Sequence, residues 1–383
     1  MKKEKYKILM VLMGLEIGGA ETHVVELCKQ LKKEGLDIVV ASNGGVYEQE
    51  LTQRGIVHYQ VPLHNKKPHN MILSYQKLKT IILKDNIDLV HAHARIPAFL
   101  CGFLHKKMQF PFMTTAHWVF TTAWGLKHVT NWGQKTLAVS EDIKKYLMQN
   151  YHVAEKDITV TINGIDTEKF SPEIETQSLK EEFELNDGMK IVYISRLDND
   201  RSEVAFQLLD SAPKLTEKVE GLEIIIVGGG NVFHTANQRA QQINEKLGRR
   251  AVIMTGARTD INKIAALADV FIGVSRAALE AMAVAKPVII AGNEGYIGIF
   301  DESKLVQAVD TNFTCRGFEK SSADRLARDI LQVLTKIDDR ERQKLGTIGR
   351  ETVKARYSVK KMAEDNIRVY RTLLKEGSDV CTM

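Results

Sequence analysis

The sequence predicts an α/β protein of two domains, each built on a doubly wound parallel sheet. Three observations predict it. The chain has 383 residues, more than one hydrophobic core usually serves. Short apolar runs alternate with stretches of helical pattern along its length, as βαβ units require. A polar stretch over 172–190 interrupts the alternation and reads as a linker, after a turn and hinge at Asn163-Gly164-Ile165-Asp166. The expected domains are 1–168 and 185–358.

In the first half, residues 7–13 read as a buried strand. Gly18 and Gly19 permit a tight turn, and 20–33 is an amphipathic helix with Val24, Leu27, Cys28 and Leu31 on one face. Further strands are expected over 37–41, 57–61, 88–92, 112–115 and 136–139, with helices over 70–84 and 140–150. In the second half, strands are expected over 191–194, 222–227 and 251–255, from 288, and over 304–309. A helix over 321–335 and a long amphipathic helix over 359–375 close the chain.

Composition narrows the function. Apolar residues make up 44% and charged residues 26%, as in a soluble α/β enzyme. The net charge of +5 is mild but uneven: over 64–151, twelve Lys and Arg face four Asp and Glu. That patch suits an anionic membrane or an anionic substrate, and solvated helix faces would give the same count. The four cysteines form no CxxC pair, which fits a reducing compartment and argues against a zinc site or a disulfide framework. Lys2, Lys3 and Lys5 ahead of an apolar run mimic a signal peptide. The run is very short and leads into a strand-to-helix turn, so it reads as the first strand. No apolar run is long enough to span a bilayer.

The stretch 269–287 organises the second half. Residues 270–272 read as a strand broken by Gly273, with Ser275 as N-cap of a helix over 276–285 that Lys286-Pro287 stops. A helix start attracts anions through its free N–H groups and dipole, and Glu280, about one turn in, suits the two hydroxyls of a ribose. An ordinary crossover with a solvated Glu fits the same stretch. On the loop 195–201, Arg196 and Arg201 are two fixed cations able to neutralise a departing pyrophosphate. The alternating charges there could equally pair among themselves. Asp198 and Asp200 spell a metal-type D-x-D, but their place between arginines sets a metal aside. Gly228 and Gly230 resemble a dinucleotide fingerprint, but Phe233 stands where Gly or Ala belongs, against a nicotinamide cofactor. In the first half, His91, His93 and His117 fall at the carboxyl ends of strands, where ligands bind. His117 is expected to touch substrate and His91 to bond a loop carbonyl. Trp118, Trp124 and Trp132 follow closely, suiting a sugar or a membrane interface, or simply the core.

Taken in order, these motifs resemble the retaining, nucleotide-sugar-dependent glycosyltransferases of family 4. They are GGAE at 18–21, DLVHAH at 88–93, TAH at 115–117, NGID at 163–166, SRLDNDR at 195–201, VGGG at 227–230, TG at 255–256 and ADVFIGVSRAALEAMAVAKPVI at 268–289. The resemblance runs nearly end to end. It implies the GT-B fold, two facing Rossmann-like domains with a closing helix, about 359–383, that crosses back to the first. It also implies roles: Arg196 and Arg201 on the donor diphosphate, Gly18 and Gly19 against the phosphate or sugar, His117 on the transferred sugar, Glu280 on the ribose, and Arg258 near the base. No cofactor or metal is implied. The partners would be a nucleotide-sugar donor, UDP-linked, and a glycan or lipid-linked acceptor. No nucleic acid is expected. The setting would be cytoplasmic, at the inner membrane face. A nucleotide-sugar epimerase and a catalytically silent nucleotide-sugar-binding protein are the competing readings.

One position departs from the family pattern. The first Glu of its paired-Glu motif, eight before Glu280, is Ile272 here, and the usual glycine-rich loop is shortened to 273–276. That Glu reads the donor sugar in the family. Ser275 and Arg276 are expected to take over, with Arg276 suggesting an acidic or otherwise unusual donor sugar.

Overall fold

The computed structural model describes residues 5–123 and 125–380. It divides into two compact units, one of residues 1–164 with 359–383 and the other of 165–358.

The first unit holds a seven-stranded parallel sheet. Its strands are β1 (Lys7–Val11), β2 (Asp37–Ser42), β3 (Val57–Gln60), β4 (Leu89–Ala92), β5 (Phe112–Ala116), β6 (Lys135–Ala138) and β7 (Ile158–Val160), in spatial order β3-β2-β1-β4-β5-β6-β7. The order reverses direction between β1 and β4, which opens a crevice at their carboxyl ends. Helices of nine or more residues are numbered here; this unit has α1 (Gly19–Lys33), α2 (Pro68–Lys84) and α3 (Arg95–Met108). Both sheet faces are covered, so a strand such as β4 is buried on both sides, its polar His91 included.

The second unit holds six strands. They are β8 (Lys190–Ile194), β9 (Glu223–Val227), β10 (Val252–Gly256), β11 (Val270–Gly273), β12 (Val288–Gly292) and β13 (Gly295–Ile299), in spatial order β10-β9-β8-β11-β12-β13. The switch lies between β8 and β11. Its helices are α4 (Glu203–Lys218), α5 (Phe233–Leu247), α6 (Ser275–Ala283), α7 (Ala323–Leu331) and α8 (Asp339–Arg356). The chain then returns to the first unit as α9 (Val359–Val380). There Met362, Ala363, Val369, Tyr370 and Leu373 share a core with Val24, Leu27 and Leu31 of α1. Gly164 marks the crossing: a Cβ there would press 2.8 Å from both the Val359 Cα and the Met362 Cβ.

Several elements differ from expectation. Leu305–Asp310 forms a short helix where a strand is expected, and β13, with sequence GYIGI, runs antiparallel to β12. α8 carries Gly346 and Gly349 within the helix. Those glycines let it pack closely, since a Cβ on Gly346 would overlap the Ala285 carbonyl and one on Gly349 would crowd Met282. Asp338 caps α8, its Oδ1 accepting from the Glu341 N–H at 2.8 Å. The polar stretch read as a linker belongs to the second unit, with a short helix, Gln177–Glu182, whose Leu179 is buried. Among the described residues, no helix is long and apolar enough to cross a membrane. Trp124 and Cys381 lie outside the described residues.

Candidate active site

In the second unit the predicted residues follow neighbouring strands at the switch point. The loop after β8 carries Arg196 and Arg201, and the turn after β11 leads into Ser275 and Arg276 at the start of α6. The arginine loop is held firmly. The Leu197 N–H donates to the Gly229 carbonyl at 2.9 Å, and the Val232 N–H donates to the Leu197 carbonyl at 2.9 Å. Gly228 and Gly230 have φ of 146° and 151°. A Cβ on Gly228 would overlap the Ser195 carbonyl, and one on Gly230 the Leu197 carbonyl. These glycines therefore clamp the arginine loop, a use that the sequence comparison with a dinucleotide fingerprint missed. From the other side, Asn293 Nδ2 donates to the Asp200 carbonyl at 2.9 Å.

The loop's charges do pair among themselves. Arg196 donates to Asp198 Oδ2 from Nε at 2.9 Å and from Nη2 at 2.5 Å, and Arg201 Nε lies 3.5 Å from Asp200. Both guanidinium groups stay open to solvent, with side chains 53% and 43% exposed. Arg196 also holds the Asp198 carboxyl below the usual range, together with the Asn231 N–H, which is the larger cause.

Ser275 does not cap its helix. Val274 is the N-cap, and Ser275 opens α6 at φ 51°, its N–H donating to the Phe313 carbonyl at 2.8 Å. The cause is the shortened loop, which brings the chain from β11 into the helix with little room for a side-chain cap. Arg276 Nε donates to Glu280 Oε1 at 2.8 Å, and both side chains are buried. The carboxylate assigned to a ribose thus already holds a cation, which lessens the charge Arg276 can offer an acidic sugar. Ile272 is fully buried between β8 and β12, so that position faces no ligand. Arg258 follows β10, two strands from β8. It is forked to Glu182 at 2.6 and 3.1 Å and also bonded to Asp260, contacts that raise its pKa.

In the first unit Gly18 and Gly19 stand at the start of α1, after β1. A Cβ on Gly19 would meet nothing within 4 Å, so the turn has open space beside it. His93 and His117 follow β4 and β5, and His93 Nδ1 shares a hydrogen bond with His117 Nε2 at 3.1 Å. His91 bonds no loop carbonyl. Its Nδ1 pairs with the Tyr370 hydroxyl at 2.9 Å and its Nε2 with the Thr115 hydroxyl at 2.7 Å. His23 completes a cluster. Its ring edge lies on His117 at 4.7 Å, and Nδ1 sits 3.2 Å from Asn163 Oδ1. Sequence reasoning missed His23; the signal was a His one turn into a helix that a glycine pair opens. Burial lowers the His117 pKa to about 4 and, with the charge of His117, that of His91 to about 3. His93 is lowered well below its ordinary value by burial and then by its imidazole neighbours. His91, His93 and His117 are therefore neutral at physiological pH. Trp132 packs in the core against Tyr151, whereas Trp118 is exposed. Among the described residues, no group of three or more His, Cys, Asp or Glu is placed to hold a metal ion.

Two Rossmann-like sheets, each with its strand order reversing at a switch point, define a GT-B fold. Comparison with known proteins agrees. Residues 17–169 match the model for Glycosyltransferase Family 4, and 188–336 match that for Glycosyl transferases group 1. The chain belongs to glycosyltransferase family 4 and is a glycosyltransferase. It is 24% identical over 390 residues to N-acetyl-alpha-D-glucosaminyl L-malate synthase of Bacillus anthracis, covering 95% of this chain and 96% of that one. The fold resembles that of a glycosyltransferase from Rickettsia africae, with a TM-score of 0.78, 24% identity, and 97% and 100% of the two chains covered. It also resembles Anabaena HepE in complex with UDP-glucose, with a TM-score of 0.75, 16% identity, and 96% and 99% covered.

Proposed function

We propose that this glycosyltransferase moves a sugar from a UDP-linked donor to a glycan or lipid-linked acceptor, with retention, in surface polysaccharide or glycoconjugate synthesis. The observation that carries the reading is the arginine loop, clamped by Gly228 and Gly230 at the switch point of the second sheet with its guanidinium groups open to solvent. Exchanging Asp198 for a diphosphate costs Arg196 little, because an exposed ion pair contributes about 0–1 kcal/mol. The diphosphate gains forked, charge-assisted hydrogen bonds in return. The bond from the sugar's anomeric carbon to the diphosphate breaks while the acceptor oxygen bonds on the same face. The acceptor's proton passes to the leaving diphosphate oxygen, whose charge Arg196 and Arg201 stabilise. No metal cofactor is needed in this scheme, because arginines and a helix start supply the positive field. Glu280, fixed by Arg276, orients the ribose, and Arg258 lies toward the base. Gly18, Gly19 and His117 of the first unit act on the phosphate and the sugar.

HepE's complex with UDP-glucose supports a UDP-linked donor for this relative of the same fold. Exposed Ile72 and Phe103 among Lys77, Lys79, Lys106 and Lys107 on α2 and α3 support peripheral contact with anionic membrane at the cytoplasmic face.

A thermal-shift screen of nucleoside diphosphates and their sugars tests the proposal, followed by product analysis with the best donor. UDP should raise the melting temperature in wild type and much less in Arg196→Ala. No stabilisation by any nucleoside diphosphate would overturn it. Isomerised donor without acceptor would indicate an epimerase, and binding without turnover on any acceptor a silent binding protein.

A further inference from the structure

We infer that His93 is a positioning residue that holds His117 with its proton on Nδ1, so that His117 offers the transferred sugar a hydrogen-bond donor. The inference rests on the substrate role of His117 proposed above.

The argument counts protons in the cluster. His93 and His117 are joined through His93 Nδ1 and His117 Nε2, 3.1 Å apart, so one of the two nitrogens donates. Both rings are neutral, so each carries one proton. If His117 donated from Nε2, the proton of His93 would sit on its Nε2. That atom is buried and has no hydrogen-bond partner among the described residues. An orphaned buried N–H is rarer and more costly than an unused acceptor lone pair. The proton of His93 therefore belongs on Nδ1 and is donated to His117 Nε2, which leaves the His117 proton on Nδ1. His117 is partly exposed, and with Nε2 engaged, Nδ1 is the nitrogen left for a ligand.

The surroundings keep this arrangement in place. The ring of His91 packs on His93 at 4.0 Å between centroids, and His91 is itself bonded at both nitrogens. The edge of His23 holds the other side of His117, and Asn163 anchors His23. A donor N–H suits an oxygen that accepts, such as a sugar hydroxyl, and cannot take a proton from an acceptor substrate. His117 then orients the donor sugar, and proton removal falls to the leaving diphosphate.

Histidine-selective nitrogen-15 NMR of the full-length wild-type protein, without ligand, tests this directly. His117, assigned by loss of its signals in His117→Gln, should show the Nδ1–H tautomer. A His117 signal in the Nε2–H form would overturn the inference, whatever the transfer assay gives. His93→Ala should release His117 toward Nε2–H. His93→Asn, whose amide can donate from the place of Nδ1, should restore Nδ1–H. With a turnover assay in hand, His93→Ala should lower kcat/KM for the donor sugar about tenfold, as loss of one hydrogen bond does. UDP affinity should be unchanged and His93→Asn should recover part of the rate. Equal losses of UDP affinity and rate in both variants would mark His93 as merely structural and overturn it. Should no donor be turned over, the functional reading fails while the NMR result still decides the tautomer.

Discussion

Mild acid should destabilise the first unit far more than its modest charge suggests. His91, His93 and His117 are held neutral by burial, with folded pKa values of about 3, well below normal and about 4 respectively. In the unfolded chain each titrates near 6.5. Between 6.5 and the folded values the unfolded state binds more protons, so stability falls as pH falls. From pH 6.5 to 5 each imidazole contributes about 1.6 kcal/mol to that loss, and the three together as much as about 5 kcal/mol. That is a large share of the 5–15 kcal/mol that typically separates folded from unfolded states. His58, whose pKa burial also lowers, acts in the same direction. Paired carboxylates such as Glu155, whose pKa Lys144 lowers, titrate at lower pH and leave this window to the histidines. All three tryptophans fall in the first unit, so tryptophan fluorescence, excited selectively, during urea unfolding reads that unit alone. The unfolding midpoint should drop steeply between pH 7 and 5. A midpoint that stays constant across that range would refute the claim that the cluster is neutral and packed.

Other substitutions test the second unit. Gly228→Ala must force both a φ that side chains avoid and a clash with the Ser195 carbonyl; we expect a loss of about 2–4 kcal/mol and weaker UDP binding, read by thermal melting and calorimetry. Arg196→Ala should weaken UDP about 10- to 100-fold, the range for hydrogen bonds to a charged group, with the melting temperature of the free protein unchanged. Arg276→Ala leaves the buried Glu280 carboxylate without its cation and should cost about 3–5 kcal/mol, whereas joint replacement of Arg276 and Glu280 by Met and Leu should regain stability while losing nucleotide. A melting curve for Arg276→Ala that matches wild type would show that the pair does not matter to the fold.

What could be read from the chain alone was local. Apolar runs such as those in β9 and β12 mark strands buried on both faces, because a parallel sheet covered by helices leaves no polar side. Their alternation with helices predicts which loops meet at a strand's carboxyl end, and so which residues to suspect: Gly18, Gly19, His117, Arg196, Arg201 and the start of α6. The Arg276–Glu280 pair was also within reach, since side chains four apart on a helix are neighbours. Three-dimensional packing decided the rest. Tyr370 reaches His91 across 279 positions of sequence, and His23 reaches Asn163 across 140. The glycines of 228–230 owe their purpose to a loop that lies one strand away. Periodicity records which face of an element is buried but not what lies against it, and a proton's place on an imidazole depends on the partner that lies there.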